Sequence, residues 1–519
     1  MPPPLFPGAE GLGFRRWTIA VVACLLAILA GMTLASEPYL VFAGLIGLLY
    51  VGTLAVNARP LAWLVIALQP AALIVPFFPG RPFWWELCAL LAWPSLLAYF
   101  LVNRQKLADL KFDRYERRAL LALLGYVGVL VVLMFYRGVG FRALGGGQMG
   151  GRVYAQQLVL SILPLLLLVV QNTRRQLLSA LIAGWLLTLT YLLSELSFSS
   201  GGGVMKTILY FIELPVDGLN FEVGYAMTGV RRFGSFALVA FGGLACLWTL
   251  YALRDLFGRR VWIGVPATLG LFLLGLGSGY RNMLIIPAIT FGFLTLFQRF
   301  WTAVRFVGAL AISTAVVGAL YITAPKLPLS VQRSVSFLPG IDIAQAAKID
   351  AATTNIDRLE VMKMAFDDIP RYWLTGRGFG MDRLDQVPID SSTTSAVLLY
   401  DQGMFYNGLF GSVLKTGIPG LICMLAFSWF GSKMAIELIW LVQRRSTSQQ
   451  SCFDRLCLVL CAQWFAFLVH FYLTNGDVNI WMQTFGINGA LIMICRRRQL
   501  QNTSDAEPDE HPLTSSDRS

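Results

Sequence analysis

The chain has 519 residues, of which 56% are hydrophobic and only 13% charged, with a formal net charge of +12. A soluble chain of this size carries roughly a quarter charged residues and divides into two or more domains, so a water-soluble globular enzyme is excluded. The apolar stretches are long and unbroken, not alternating ten-residue segments, which excludes a membrane barrel and leaves an all-α bundle.

The first apolar run, Trp17 to Ser36, follows Arg15 and Arg16 and imitates a secretory signal. It exceeds the roughly 7–15 apolar residues of a signal core, so it reads as an uncleaved first helix, although Thr33 and Ala35 would permit cleavage. Hydropathy then predicts a polytopic bundle of about fourteen transmembrane helices. Their centres lie near residues 27, 48, 70, 93, 127, 162, 187, 246, 270, 291, 313, 430, 465 and 488. Each is long enough for a hydrocarbon core of roughly 30 Å, some with tilt. Arg104, Lys106, Lys111, Arg114, Arg117 and Arg118 crowd one loop, which the positive-inside rule makes cytoplasmic. Alternation places Arg174–Arg175, Arg259–Arg260, Arg444–Arg445 and Arg496 to Arg498 on the same side, so both termini are cytoplasmic. The membrane domain covers 1–498, and the polar tail 499–519 reads as disordered.

Three outer segments are long enough to carry function. Arg137 to Arg152 is glycine-rich and includes Arg142, and Ser197 to Gly234 contains a semi-apolar stretch, Val204 to Pro215, with the character of an interfacial helix. The largest outer loop covers 324–405. Within it Ile356, Leu359, Met362, Phe366 and Ile369 follow helical spacing, which predicts an amphipathic lid helix over 355–369. Thr354 or Asn355 would cap it, Asp357 complements its dipole and Pro370 would end it. No internal repeat is evident, and no charge is expected at the midplane of the bundle.

Eight cysteines lie in or beside apolar helices or in a cytoplasmic loop, so they read as packing residues, not disulfides. Two histidines and no His/Cys cluster give no pattern for a metal, and no other cofactor motif is present. No nucleic acid is expected as a partner.

Charge at the outer helix ends is the informative feature. Arg231 and Arg232 precede one helix, and Arg281 lies in a tight hairpin between two others. Guanidinium stays protonated and offers fixed donors suited to phosphate oxygens. A single such arginine is more often an anchor that snorkels to lipid phosphate; a doublet with a third on the same side favours an anionic ligand at the outer surface. The stretch Thr375 to Gly380, with Arg377, lacks the ending of a nucleotide P-loop and reads as a glycine-rich turn that lets backbone approach a ligand or the membrane. Tyr406 and Asn407 open the apolar segment that ends in Gly417 to Gly420, a step that should kink a helix. His470 stands near an outer helix end and is either a base or a packing residue. Of the outer carboxylates, Glu222 and Asp401 stand out for their nearness in sequence to the arginines and to Tyr406, whereas the others, Asp350 among them, read as solvated.

Four of these segments, in this order, resemble the superfamily of O-antigen ligases and Wzy-type polysaccharide polymerases. Residues 229–236 (GVRRFGSF) are similar to its Arg-x-Gly-Thr/Ser-Phe step, and 277–283 (GSGYRNM) to its Thr/Ser-Gly-Ser-Arg-Gly hairpin. Asp357 to Glu360, Pro370 and Gly376 to Gly380 are similar to the Arg, Pro and Gly-x-Gly run of its periplasmic loop. Tyr406, Asn407 and Gly417 to Gly420 are similar to its His-Asn and Gly-Ile-x-Gly segment. The likeness covers about 220–430 and implies a bacterial inner-membrane glycosyltransferase. Such a protein takes a glycan from an undecaprenyl-diphosphate-linked donor at the periplasmic face and passes it to a glycan or lipid acceptor, among membrane lipids and alongside other polysaccharide-assembly proteins.

The resemblance implies that Arg231 or Arg232, with Arg281, binds the diphosphate without a metal and that Arg358 positions the loop, with Arg377 and Asn407 as further diphosphate contacts. Tyr406 stands where the family often has histidine. A phenol with a pKa near ~10 is a poor base, so Glu222, Asp401 and His470 are the candidates for the acceptor's proton. This departure favours a polymerase over a lipid A ligase. The rival readings are a flippase or exporter of the same lipid-linked glycan, and a non-catalytic assembly partner.

Overall fold

The computed structural model describes residues 58–76, 81–102, 112–139, 150–169, 173–200, 203–213, 229–230, 232–379, 395–401, 403–445 and 450–504. The expected helices near 27 and 48, Arg231, Glu222, most of the glycine-rich segment after Arg137, and residues 505–519 lie outside them. Among the described residues every regular element is helical, and pairing of extended backbone is limited to two isolated bridges, Leu73 with Ile212 and Ile74 with Phe83. Apolar runs without access to water must satisfy their backbone internally, and helices do so.

The helices are α1 (Ala58–Leu68), α2 (Trp84–Val102), α3 (Arg114–Arg137), α4 (Gly151–Ser161), α5 (Leu163–Val169), α6 (Arg174–Leu187), α7 (Leu189–Ser200) and α8 (Gly203–Phe211). They continue with α9 (Gly234–Leu250), α10 (Val261–Gly277), α11 (Arg281–Phe297), α12 (Ala303–Thr323), α13 (Leu329–Val335), α14 (Gln345–Tyr372) and α15 (Ser395–Asp401). The last three are α16 (Gly408–Gln443), α17 (Cys452–Val469) and α18 (Ile487–Ser504).

Seven helical segments are long and apolar enough to cross a membrane: 114–137, 151–168, 174–198, 303–326, 408–443, 452–475 and 478–501. Three shorter apolar helices, Gly234–Leu250, Val261–Gly277 and Ile285–Phe297, join them. The chain is thus a helical membrane protein. The span expected near residue 70 is corrected: α1 ends at Leu68, because Pro70 lacks the donor to continue it, and the following residues form the two bridges instead. The stretch 203–211 is a helix, as its semi-apolar pattern predicts.

Close packing is set by small residues. A Cβ on Gly125 of α3 would stand 3.0 Å from the sulfur of Cys423 on α16, and one on Gly431 would meet Trp464. The seven described cysteines are free, and none is fully exposed.

One end of the bundle gathers the basic loops. Arg496 pairs with Asp113 (3.0 Å) and Glu437 (2.6 Å), Arg497 with buried Glu116 (2.6 Å), and Arg445 with Asp454 (3.2 Å). Arg174 donates to the carbonyl of Arg498, and Arg455 to that of Leu250. The helix ends that the charge pattern puts on one side therefore meet in space. The tail boundary moves, since α18 runs on to Ser504 and Gln499 is buried against Asp454.

At the opposite end lies α14. It is 28 residues long, about 42 Å, and extends ten residues further toward the N-terminus than the predicted lid. Residues 345–354 are alanine-rich and continue the helix, so Thr354 and Asn355 are internal and cap nothing. Its N-terminus is held by Gln332, whose Oε1 accepts from the amide of Ala344 (2.7 Å). Pro370 does not stop it, because so near the C-terminal end it removes a single backbone bond. The expected apolar face is also corrected. Val361, Ala365, Ala347 and Asp350 face inward, while Ile356, Leu359 and Phe366 are exposed.

Candidate functional site

The N-terminal half of α14 lies over three helix ends. Arg232 sits two residues before α9, its backbone fixed where the amide of Phe233 donates to the carbonyl of Ser278 (2.8 Å) in the α10–α11 hairpin. That hairpin turns at Gly279, whose φ of +79° is the left-handed region open to glycine. Arg281 is the first residue of α11. Arg333 projects from α13, a short helix of the large loop.

These three arginines converge on α14. Arg232 reaches both carboxylate oxygens of Asp350 (2.9 and 2.8 Å) and the hydroxyl of Thr354 (3.4 Å). Arg333 ion-pairs with the same carboxylate, donates to the carbonyl of Gly279, and reaches Thr354 at 3.1 Å. Arg281 donates to Oδ1 of Asn355 (2.9 Å) and to the carbonyl of Ala351 (3.3 Å), both neutral acceptors. Two turns on, Arg358 lies 5.0 Å from the ring of Tyr406 and within the electrostatic reach of Arg281 and Arg232. One carboxylate is thus shared by two guanidinia, with two more beside it.

The electrostatics follow from this crowding. Burial raises the Asp350 carboxyl, but Arg232 and Arg333 outweigh it and hold the group below the usual carboxylate range. Arg333 is pushed down to about 10, first by burial and then by repulsion from Arg232, against the attraction of Asp350. Burial likewise lowers Arg358, aided by Arg281 and Arg232. Like charges gathered under a lid are the arrangement that an added anion would relieve.

Tyr406 is held in a left-handed backbone conformation, φ +54°, which costs a non-glycine residue energy and is over-represented at functional sites. Asn407 follows as the N-cap of α16, its Oδ1 accepting from the amides of Leu409 (2.9 Å) and Phe410 (3.2 Å). That oxygen serves the helix. His470 begins the irregular turn after α17 and lies close enough to Arg358 to feel its charge. Its Nε2 is buried, with no hydrogen-bond partner among the described residues. Asp401 ends α15, five residues before Tyr406, and α15 packs on α14 through Ala396 and Tyr400 beside Val361 and Ala365.

Arg377 belongs to a neighbouring group. Its amide donates to the carbonyl of Leu414 (2.6 Å), that of Gly378 to Lys415 (2.9 Å), and that of Ile418 to Trp373 (2.7 Å). The glycine-rich turn is thereby stitched into the kink of α16, where Gly417 has φ +69°. The guanidinium lies 5.5 Å from the Tyr400 ring. Lys415, buried on α16 below this turn, has its ammonium 5.3 Å from the ring of Phe379 and 5.8 Å from that of Phe405.

Sequence reasoning misses Arg333 and misassigns Asp350, which is 3% exposed rather than solvated. The one available signal is spacing along α14, which sets Asp350, Thr354 and Arg358 on a single face. It also misses a buried charge inside the bundle. Arg152, assigned to an outer loop, is the second residue of α4 and pairs with Glu86 of α2 (3.1 Å), with Glu213 at 3.9 Å and Gln156 on the same carboxylate. Burial raises the Glu213 carboxyl against the pull of Arg152.

The sequence matches no protein-family model and no curated protein.

Proposed function

We propose that this chain is a glycosyltransferase that acts on a polyprenyl-diphosphate-linked glycan at the membrane surface bordered by α14. On this reading it is a polysaccharide polymerase or ligase of the bacterial inner membrane, of the kind its four motif segments resemble. The observation that carries the reading is the convergence of Arg232, Arg281 and Arg333, from three separate segments, beneath one loop helix. Like charges crowd at a cost, so two guanidinia on one carboxylate, with Arg281 and Arg358 close by, form an arrangement that a dianionic diphosphate would complete.

The chemistry follows from the charges. The acceptor hydroxyl oxygen attacks the anomeric carbon of the donor sugar, and the bond from that carbon to the phosphate oxygen breaks. The electron pair leaves on the diphosphate, where guanidinium donors stabilise the growing charge. The acceptor's proton passes to a base, for which His470 and Asp401 are the candidates among the described residues, with Glu222 beyond them. Arg358 over Tyr406 ties α14 to the start of α16, and so orders the loop around the reacting groups. Before the donor arrives Asp350 occupies the arginines, and the diphosphate takes its place.

A second reading, export of the lipid-linked glycan, gains support from one feature, the buried Arg152–Glu86 pair inside the bundle. Buried ionisable residues in membrane proteins commonly line transport paths. Purified protein in liposomes, given a synthetic undecaprenyl-diphosphate glycan and a chelator, separates the two. Chain growth that Arg281→Ala and Arg232→Ala both abolish supports the transferase. Donor that crosses the bilayer intact, with no glycan transferred, overturns it in favour of export.

A further inference from the structure

The outward face of α14 has the wrong chemistry for water. Ile349, Ile356, Leu359, Phe366 and Trp373 recur at helical spacing along it and are 50%, 55%, 67%, 64% and 49% exposed. Their neighbour Leu374 is 55% exposed. Five large side chains in one stripe exceed the scattered apolar residues of an ordinary surface, so something covers them.

Two geometric facts say what. The N-terminal half of α14 touches Arg232 and Arg281, at the starts of α9 and α11, and its C-terminal end is bonded to the kink of α16 through Trp373 and Ile418. Contacts with the starts of α9 and α11 near one end, and with the first third of α16 near the other, mean that α14 runs across the end of the bundle rather than away from it. The stripe is also continuous with an exposed apolar surface on α16. The ring of Phe366 lies 6.2 Å from that of Phe410 on α16, and Leu374 is next to Trp373 at the kink. Immediately below, Ile422, Leu425, Trp429 and Trp440 form the exposed face of α16 as it crosses the apolar core.

We propose that α14 is an interfacial helix whose apolar stripe rests in the lipid leaflet at this end of the bundle. Trp373, at the C-terminal end of the helix, sits where an interfacial tryptophan belongs. The inward face of the same helix carries Asp350, Thr354 and Arg358, so lipid contact on one side sets the depth of the arginine cluster on the other. The anion that reaches those arginines is then lipid-borne, arriving at headgroup depth, whatever chemistry follows. The placement stands without the transferase reading and deepens it if that reading holds.

Nitroxide labels on single cysteines test it in the full-length protein, reconstituted in vesicles of phosphatidylethanolamine and phosphatidylglycerol, with the label on native cysteines subtracted. Ile356→Cys, Leu359→Cys and Phe366→Cys report the stripe, and Glu360→Cys reports the polar side of the same exposed surface. These positions are exposed, and of the four substitutions Phe366→Cys gives up a ring contact, that with Phe410. The expected result is collision with oxygen several times that with a water-soluble nickel chelate at the three stripe positions, and the reverse at residue 360. Nickel access along the stripe would overturn the proposal, since the helix would then stand in water. Protection from both reagents would also overturn it, in favour of a second copy or a partner protein over the stripe.

Discussion

Removal of Asp350 separates a merely structural arginine cluster from one built for an anion. Asp350→Ala takes away the carboxylate shared by Arg232 and Arg333. Arg333 has 3% of its side chain exposed and Arg232 24%, so the first is stranded in the interior while the second can turn to water. Breaking a buried pair by deleting one partner costs about 3–5 kcal/mol. The lower figure applies here, because Thr354 and the Gly279 carbonyl still accept from Arg333. At 1.4 kcal/mol per tenfold, about 3 kcal/mol is roughly a hundredfold increase in the open population of the lid. Hydrogen exchange of the amides of residues 347–358, in detergent, should accelerate by about that factor. Inorganic pyrophosphate should slow exchange in the variant more than in the wild type, because it no longer has to displace a carboxylate. Exchange that rises less than about threefold would refute the energetic argument. Pyrophosphate that protects the wild type but not the variant would refute the claim that Asp350 occupies the anion's place.

Four further outcomes follow from the same contacts. Gly417→Ala should cost about 1–3 kcal/mol for its φ of +69° and ψ of 179°, a region essentially confined to glycine. Its Cβ would also fall 2.3 Å from the carbonyl of Leu374, so the variant should lose the turn and become sensitive to trypsin at Arg377. Arg281→Lys keeps the charge but ends in a compact ammonium on a shorter side chain, which loses reach to Asn355 and Ala351, both bonded by Nη2 of Arg281; a transfer rate between those of wild type and Arg281→Ala is expected in the liposome assay. Glu86→Ala leaves Arg152 buried without its nearest carboxylate, and a loss of about 3 kcal/mol should appear as a lower midpoint in thermal unfolding monitored by tryptophan fluorescence. Because Asp350 titrates below its unfolded value, its contribution is fully present above about pH 4 and is lost as pH falls through the depressed value. Lid exchange, corrected for intrinsic rates, should therefore be flat from pH 8 to about 5 and rise only at more acid pH.

Composition and hydropathy make the helical membrane bundle legible, because a run of some twenty apolar residues has few structural alternatives. The basic loops are legible for a related reason, and the structure brings Arg174, Arg445 and Arg496 to one end as the alternation predicts. The kink at Gly417 is equally readable from its sequence. What fails is the extent and facing of α14. Its apolar residues give the right period, but in a helix at a membrane surface they mark the side turned toward lipid as readily as the side turned toward protein. For the same reason Asp350 reads as solvated. Its burial depends on Arg333, seventeen residues away in the chain, and on Arg232, more than a hundred residues away, and no local pattern joins the three.

The two ends of the bundle arrange their arginines differently. At the end where the basic loops gather, Arg496 meets Asp113 and Glu437, Arg497 meets Glu116, and Arg445 meets Asp454, so guanidinium is matched to carboxylate. Those pairs join the ends of different helices, while Arg174 and Arg455 at the same end donate to backbone carbonyls. At the other end the same side chains are arranged differently. Arg232 and Arg333 share one carboxylate, Arg281 bonds neutral acceptors among the described residues, and Arg358 adds its charge above the ring of Tyr406. Two guanidinia on one carboxylate, with two more beside it, are the setting that the proposed diphosphate would complete, at the depth that the proposed interfacial helix sets.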